Sequence, residues 1–449
     1  MQRKGAWTTV WPPVTLATMA GMLLKEGVEV RLNDCIVEDI GFKKLKDNIA
    51  VFKPDILVIN TATASIYSDL LCARAAKEAS PRIKTLALGL HVTMLPEEAF
   101  VMEPALDFII RGEPEFCFME LVKVLAKGQE ISAVKGLSYR KDGLVIHNQD
   151  RGFDEDLNDL AFPAWQLIDT RNYLLPLSAE PFLLVTTSKG CPYSCLFCPA
   201  KPFYGSKLRL RDYKKVVDEM EYVYKNFGVG QFLIWSESFT ANREYVFDFC
   251  NEFSSRGIKL GWVCNSRVDK VDLEMLKVMK KAGCWMIGFG IESGSQEILD
   301  NSGKGATIKQ AEEAVDRAKK AGMEVVAHVI FGLPGETLLS GKKTIAWLNK
   351  LKIDFIQVYC AVPWPSTPLY ALARKNGWLK SSDWRLYEQN HCVLDTGTIK
   401  PKEVEYLRRL AVRKFYSSLK RLSKMALKVN SVKKLRLFIK TLREFLRWI

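Results

Sequence analysis

Six predicted strands alternate with helices between residues 182 and 361, and this alternation constrains the fold more than any other feature of the sequence. The strands are predicted at 182–187, 231–235, 259–264, 285–291, 324–331 and 355–361, and the helices at 212–226, 242–256, 271–282, 307–321 and 337–351. Strands that alternate with helices form parallel sheets. Six such units in series predict a partial (β/α)6 barrel.

Each predicted strand of this barrel is followed by polar residues or glycines. The segments concerned are the cysteine-rich loop 191–198 and residues 236–238, 265–267, 292–295, 332–336 and 363–368. Because chemistry in such barrels lies at the carboxyl ends of the strands, we expect these segments to form the rim of an active site.

Three cysteines lie within eight residues of the first rim segment. Cys191, Cys195 and Cys198 have the spacing C-x3-C-x2-C and follow an apolar run that is typical of a strand. An iron–sulfur cluster ordinarily takes four cysteines, so three leave one iron open to another ligand. Catalytic metal sites keep such a position free. The alternatives are a structural zinc knuckle or three unrelated buried thiols.

This spacing, with Phe197 directly before the last cysteine, resembles the signature of the radical S-adenosylmethionine (SAM) enzymes, and the resemblance covers about residues 180–370. It implies that the three cysteines hold a 4Fe-4S cluster whose free iron binds SAM. Glu237 would receive the SAM ammonium group, Arg267 the SAM carboxylate, and Glu292 a ribose hydroxyl. The sequence departs from the family at Ser236, where a glycine or an acidic residue is usual, so Glu237 would act alone.

Four further residues complete the SAM site that the resemblance implies. Phe197 would pack on the adenine, Asn265 would make a polar contact, and Gly332 and Gly335 would let the backbone approach the adenine. A core aromatic is the alternative for Phe197, and a strand-end cap is the alternative for Asn265. His328 could face the barrel interior or lie in the core. Tyr359 and Cys360 could face a substrate, although no motif supports this.

A second, shorter alternation precedes the barrel. Helices are predicted at 14–26, 65–79 and 96–102, and strands at 28–32, 56–60, 85–89 and 108–111. They predict a doubly wound, flavodoxin-like parallel sheet, which binds ligands at the carboxyl ends of its strands. Those ends resemble the cobalamin (B12)-binding domain found ahead of many radical SAM cores. The residues that the resemblance assigns to cobalamin are Thr61, Thr63, Gly89, His91, Gly112 and Glu113.

The N-terminal sequence departs from that domain in three ways. Leu90 replaces a glycine, so the backbone approaches a bulky ligand less closely. Residues 34–39 contain no histidine to serve as a lower ligand to cobalt. Almost nothing precedes Pro12, where the family has a first strand, which is central in a flavodoxin-like order. Either the N-terminus is truncated or the domain is degenerate.

The chain therefore divides into four predicted regions. They are a B12-binding-like domain at 1–135, a hairpin and linker at 136–180, the radical SAM core at 181–370, and a C-terminal region at 371–449. Within the last region we predict a lid at 378–398 and two basic helices at 402–428 and 431–448. The last 49 residues hold 15 Lys+Arg and 3 Asp+Glu, so they carry +12 of the net +14. This concentration argues against a general nucleic-acid surface. The basic helices could lie on an anionic membrane, bind an acidic partner, or pack on the barrel.

Eleven cysteines in a chain without a visible signal peptide indicate metal binding and free thiols, and we expect a soluble cytoplasmic protein, peripheral at a membrane if the basic helices bind one. The favoured interpretation is a cobalamin-dependent radical SAM enzyme that methylates an unactivated carbon of a small-molecule or lipid-like substrate. A reductant such as flavodoxin or ferredoxin would supply electrons. The alternatives are a cobalamin-independent radical SAM cyclase, oxidase or isomerase, and a non-catalytic Fe–S or cobalamin-sensing scaffold.

Overall fold

Two sheets, each built mainly or wholly of parallel strands, organise the chain. We analysed a computed structural model, which describes residues 10–175, 178–418, 421 and 423. The first sheet has five strands and the second has six, and a two-stranded ribbon lies beside the second sheet. The predicted fold class, an N-terminal doubly wound domain followed by a partial barrel, is confirmed by this arrangement.

The N-terminal region contains helices and the five-stranded sheet in alternation. Its elements are α1 (Val14–Lys25), α2 (Phe42–Phe52), β1 (Ile56–Asn60), α3 (Ile66–Ala79), β2 (Lys84–Leu88), α4 (Leu90–Met94), α5 (Pro96–Met102), β3 (Phe108–Ile110), α6 (Pro114–Ala126), β4 (Leu137–Lys141) and β5 (Leu144–His147). The order is β1-β2-β3-β4-β5, with β1 to β3 parallel and the last two strands antiparallel. The predicted hairpin therefore extends this sheet through its pairing with β3.

The hairpin turn follows from its sequence. Asp142 and Gly143 connect β4 to β5 with positive φ angles of 51° and 80°. Two successive residues with positive φ form the turn whose twist matches that of paired strands, and Asp-Gly is a favoured sequence for it.

The strand predicted at 28–32 is wrong, because this segment is irregular. A strand needs a neighbour, and in a flavodoxin-like order this segment would pair with a first strand rather than with β1. Within the described ranges β1 pairs only with β2, so no such neighbour is present. The segment that follows is instead held by side chains, since Tyr173 Oη donates to Asp34 Oδ2 at 2.9 Å.

The barrel region begins at residue 182. Its elements are β6 (Phe182–Thr186), β7 (Ser188–Lys189), α7 (Ala200–Tyr204), β8 (Arg209–Leu210), α8 (Tyr213–Phe227), β9 (Gln231–Trp235), α9 (Arg243–Ser255), β10 (Gly261–Arg267), α10 (Leu273–Lys281), β11 (Cys284–Glu292), α11 (Gln296–Asn301), α12 (Ile308–Lys320), β12 (Glu324–Phe331), α13 (Leu338–Leu348) and β13 (Phe355–Cys360). The sheet order is β13-β12-β11-β10-β9-β6, and every pairing is parallel. All six predicted barrel strands are confirmed.

Local sequence explains why the crossover helices form where they do. At the start of α12, the Thr307 side chain accepts from Gln310 N, while Gln310 Oε1 accepts from Thr307 N. This capping box satisfies two amide groups that a helix start leaves unpaired. The buried residues of α12 follow the spacing of one helix face, so the helix presents an apolar stripe to the sheet; they are Ala311, Ala314, Val315 and Ala318.

The chain after β13 returns to the N-terminal sheet. Helix α14 (Pro368–Lys375) is followed by residues 378–398, which we call the strap and which include the bridge between Leu379 and Leu394. Trp384 of the strap donates to Glu98 Oε1 at 2.6 Å, and its ring lies 4.8 Å from that of His91. The segment predicted as a lid therefore fastens the N-terminal domain to the barrel.

The final described helix, α15 (Pro401–Tyr416), covers the edge strand β13. Tyr416 Oη donates to Ile356 O and accepts from Ile356 N, both at 3.0 Å. Its buried apolar residues include Val404, Leu407, Leu410 and Phe415. The predicted helix at 402–428 is confirmed up to residue 416, and its apolar face packs on the barrel. Residues 419, 420, 422 and 424–428 of that predicted helix, and the whole predicted helix at 431–448, lie outside the described residues.

None of the helices in the described ranges has the length and apolarity needed to cross a membrane. The predicted alternative of a membrane-surface contact rests on the charge of residues 401–449.

We predict that Leu407→Ala destabilises the protein, because the Leu407 side chain is 0% exposed and lies against the backbone of Gly341 in α13. Loss of a buried leucine costs about 2–5 kcal/mol, which should appear as a clear drop in melting temperature. The neighbouring Tyr406→Ala, at a residue that is 44% exposed, is the control and should melt like the parent. Equal melting temperatures for all three proteins would contradict the packing role of α15.

Candidate functional site

The cysteine loop leaves the ribbon strand β7 at a position that only glycine can occupy. Gly190 has a φ of 89°, and a Cβ there would lie 2.0 Å from Lys207 O. Three backbone bonds then hold the loop: Cys191 N donates to Gly205 O, Leu196 N donates to Ser302 O, and Cys198 N donates to Cys195 O. The loop is therefore preorganised by the ribbon and by the turn after α11.

The three thiols of the loop are free and half-buried. Within the described ranges, no three His, Cys, Asp or Glu side chains are arranged to hold a single metal ion. In a 4Fe-4S cluster each cysteine binds a different iron, so three free cysteines on one loop fit that group. Burial raises the pKa of Cys198 to about 12, so a bound iron would supply the positive charge that its thiolate needs.

Glu237 lies at the end of β9 beside this loop and has an unused acceptor. Its Oε2 is buried and has no hydrogen-bond partner. Burial raises the pKa of Glu237 to about 7, although Lys189 acts in the opposite direction. A buried carboxylate oxygen without a partner is costly unless a ligand completes it, and an ammonium group has the matching charge. The predicted contact with SAM fits this geometry.

Arg267, at the end of β10, is already engaged on several sides. Its Nε donates to Asp269 Oδ1 at 2.8 Å, and its Nη2 donates to Lys304 O at 2.7 Å. The guanidinium carbon lies 3.9 Å from the centre of the Tyr193 ring, and Nη1 lies 3.9 Å from Cys195 Sγ. The structure thus places Arg267 against the cysteine loop, which it stabilises; its contact with the SAM carboxylate remains a prediction.

Glu292, at the end of β11, is paired with a lysine that the sequence analysis missed. Glu292 has a φ of 63° and is 5% exposed. Its Oε1 lies 2.7 Å from Nζ of Lys304, which is also buried. Lys304 stands between Gly303 and Gly305, both of positive φ, and this flanking pair was the only signal in the sequence for a constrained side chain.

The glycine turn after β12 is organised by a second missed residue, Glu336. Its carboxylate accepts a hydrogen bond from Gly332 N, and burial raises the pKa of Glu336 to about 8. A Cβ on Gly332 would lie 3.1 Å from Val404 of α15, and one on Gly335 would lie 2.7 Å from Asn301. Both predicted adenine-binding glycines therefore also permit close packing of the surrounding elements.

Other predicted residues line the barrel interior. Asn265 is exposed within it, and a Cβ on Gly288 would lie 2.3 Å from Asn265 Oδ1 and 2.8 Å from His328 Nε2. Gly288 therefore lets these two polar groups approach each other. His328 Nδ1 lies 3.2 Å from Tyr359 Oη, and the two rings are stacked. Phe197 packs against the apolar core of the barrel.

One cavity of about 330 Å³ separates the N-terminal strand ends from the cysteine loop. The N-terminal residues that line it include Asn60, Thr61, Gly89, Leu90 and Glu115, and the barrel residues include Thr186, Lys189, Cys198, Tyr204 and Trp235. A Cβ on Gly89, whose φ is 123°, would lie 2.4 Å from Thr61 O. The turn that lines the cavity therefore requires glycine at this position.

The remaining residues predicted to bind cobalamin lie outside the lining of this cavity. Thr63 is buried, and His91 is buried against Trp384, where burial lowers its pKa to about 4. Gly112 N donates to Thr93 Oγ1 at 3.1 Å. Glu113 forms an ion pair with Arg209. Thr61 and Gly89 are thus the two of the six predicted residues that the structure brings to the cavity.

Comparison with known proteins matches both halves of this arrangement. Residues 185–348 match the Radical SAM superfamily, and residues 6–122 match the B12 binding domain. The fold and the site therefore define a radical SAM enzyme with a cobalamin-binding domain. The chain belongs to the family of cobalamin-dependent radical SAM methyltransferases, and it is 32% identical to an uncharacterized methyltransferase, PH0819, of Pyrococcus horikoshii, over 91% of this chain and 88% of that relative.

Two further comparisons give the range of the family and of the fold. The anaerobic magnesium-protoporphyrin IX monomethyl ester cyclase of Rubrivivax gelatinosus is 30% identical over 80% of this chain and 66% of its own length. The structure of TsrM, a radical SAM methyltransferase from Kitasatospora setae with cobalamin and a 4Fe-4S cluster bound, aligns with a TM-score of 0.71 at 16% identity, covering 83% of this chain and 77% of that chain. The cofactors of the family are a 4Fe-4S cluster, SAM and cobalamin, as predicted.

We predict that replacing Cys191, Cys195 and Cys198 together with alanine abolishes assembly of the cluster. Anaerobically reconstituted parent protein should hold about four irons and four sulfides per chain. Cys250→Ala and Cys284→Ala are the controls, since both thiols are buried in the barrel core, and each variant should keep the full iron content. A cluster that persists in the triple variant would refute the ligand assignment.

We also predict that SAM affinity falls as the pH drops through about 7, because Glu237 has a pKa of about 7 and only its carboxylate form accepts from an ammonium group. Below that pH the affinity should decrease by up to about tenfold per unit. Glu237→Gln should bind SAM more weakly and without this pH dependence. Equilibrium binding measured from pH 6 to pH 8.5 provides the test, and an identical pH profile in the variant would be the contrary result.

Proposed function

We propose that this chain methylates a carbon atom of a small-molecule substrate held between the cysteine loop and the N-terminal sheet. One observation carries the proposal: a single cavity is lined by Thr61, Gly89 and Leu90 on one side and by Cys198 and Tyr204 on the other. Groups bound at the two sites would face each other across that cavity. A sensing scaffold has no need for such a shared space.

The bound cofactors would supply the electron, the 5′-deoxyadenosyl radical and the transferable methyl group. The residues of this chain position these groups and exclude water. Glu237 offers its unpartnered Oε2 to the SAM ammonium, while Arg267 and Lys304 fix the loop and the β11 end beside it. Burial of these charged groups preorganises the site before SAM binds.

The interior of the barrel is the proposed place for the reacting part of the substrate. Because Gly288 has no side chain, Asn265 and His328 both present polar atoms beside it, and Tyr359 supports His328 from the next strand. Burial lowers the pKa of His328, so its imidazole is neutral near pH 7 and accepts a hydrogen bond through one nitrogen. A largely apolar substrate with one polar group fits this interior.

A cyclase is the second candidate function, because that relative is 30% identical over 80% of this chain. The two reactions differ in their products. A methyltransferase adds the mass of one CH2 unit and carries label from methyl-labelled SAM into the product, whereas a cyclase does neither. Either reaction needs an external one-electron donor, and we propose a flavodoxin or a ferredoxin in this role.

The function is tested by purifying the chain anaerobically with hydroxocobalamin, desalting it and recording the absorbance spectrum. Retained corrinoid and slow formation of 5′-deoxyadenosine from SAM would support the proposal. Protein that holds a cluster and cleaves SAM but retains no corrinoid would instead favour cobalamin-independent chemistry.

We predict that Leu90→Gly raises the affinity for hydroxocobalamin. Leu90 lines the cavity at the first position of α4, so its side chain narrows the space available to a bulky ligand. Glycine at the first turn of a helix costs little helix stability compared with an interior position. Val101→Gly, at a residue that is 80% exposed on α5, is the control and should bind like the parent. Weaker binding by Leu90→Gly would show that the leucine contacts the ligand favourably.

A further inference from the structure

Four charged side chains are buried where the N-terminal domain meets the cysteine loop. Lys189 Nζ lies 2.8 Å from Glu115 Oε1 and 3.6 Å from Glu113 Oε2, and Arg209 pairs with Glu113. All four side chains are at most 9% exposed. The acids belong to the N-terminal domain, and the bases belong to the ribbon β7–β8, which leads into and out of the loop. The network therefore joins the two domains at the cluster.

Glu115 differs from Glu113 because only one of its oxygens is used within this network. Glu115 Oε1 accepts from Lys189, whereas Oε2 is buried and has no hydrogen-bond partner. Glu115 is 4% exposed and lines the cavity between the domains. A buried carboxylate oxygen left without a donor costs free energy that a bound ligand can recover.

We propose that Glu115 links the two cofactor sites, with Oε1 holding Lys189 at the cysteine loop and Oε2 accepting a hydrogen bond from a side-chain amide of cobalamin. The amides around the corrin ring are donors of the kind that a carboxylate oxygen accepts. The proposal rests on the proposed function, since it requires cobalamin in the cavity. Glu115 stands in the first turn of α6, so the helix fixes its position between the two sites.

The link has an electrostatic consequence for the cluster. Lys189 is two residues before Cys191, and its positive charge favours the reduced, more negative cluster. Glu115 opposes this effect by neutralising Lys189. A hydrogen bond from cobalamin to Oε2 reduces the negative charge on Oε1, so Glu115 neutralises Lys189 less fully. Bound cobalamin therefore raises the reduction potential of the cluster. By linkage, reduction of the cluster also tightens cobalamin binding.

The test compares the full-length parent with Glu115→Gln after anaerobic reconstitution of the cluster. Hydroxocobalamin affinity is measured by absorbance titration, and the cluster midpoint potential by EPR-monitored redox titration with and without cobalamin. We expect Glu115→Gln to bind cobalamin about tenfold more weakly, as for the loss of one charge-assisted bond. Its midpoint potential should lie above that of the parent and should no longer respond to cobalamin.

Glu120→Gln is the matched control, because Glu120 lies on the same helix and pairs with Arg151 rather than with the ribbon. It should behave like the parent in both measurements. If Glu115→Gln loses iron or melts early, Glu115→Asp takes its place. Aspartate keeps the charge but withdraws it by one methylene, so cobalamin binding should again weaken.

The outcomes separate the link from the proposed function. A parent that binds cobalamin while the Glu115 variants bind it within twofold of the parent would overturn the link and leave the function standing. If the cluster midpoint potential changes in those variants while the cobalamin affinity does not, Glu115 only holds Lys189 in place. A parent that retains no corrinoid would overturn the cobalamin-dependent function and the link together.

Discussion

Parallel strands direct their carboxyl ends to one edge of a sheet, and in this chain two such edges face each other across one cavity. Everything that the site requires follows from this constraint. On one side of the cavity, Thr61 and Gly89 directly follow the ends of β1 and β2. On the other side, Cys198 lies on the loop after β7. Because both edges carry polar turns, the interface between the domains is a place for ligands rather than a closed apolar contact.

Much of the fold could be predicted because parallel strands in such sheets are buried and carry a continuous apolar signal. Strand β12 occupies residues 324–331 as predicted, and β9 occupies residues 231–235. The segment 28–32 alternates apolar and charged residues, which also predicts a strand, but it forms none, since pairing depends on a neighbour that the pattern itself does not reveal. Strand propensity is local, whereas strand formation is not.

The site was predictable where function imposes a spacing and unpredictable where it depends on partners distant in the chain. Cys191, Cys195 and Cys198 are close in sequence, so their arrangement shows directly. Lys189 pairs with Glu115, which is 74 residues away, and nothing in the sequence around either residue indicates that the two charges neutralise each other. Lys304 was missed for a different reason, because a lysine between glycines usually indicates an exposed turn rather than a buried ion pair.

The two edges of the barrel sheet are covered by segments from opposite ends of the chain. On one edge, Val14 and Ala17 of α1 share an apolar core with β6, and Trp11 packs its ring on Phe182. On the other edge, α15 covers β13. Trp11 and Phe182 lie 171 positions apart and Tyr416 and Ile356 lie 60 apart, so both edges are closed by contacts between residues distant in sequence, which form more slowly than local ones. During synthesis the barrel strands therefore emerge before their C-terminal cover, and β13 remains an unprotected edge until the ribosome has completed residue 416.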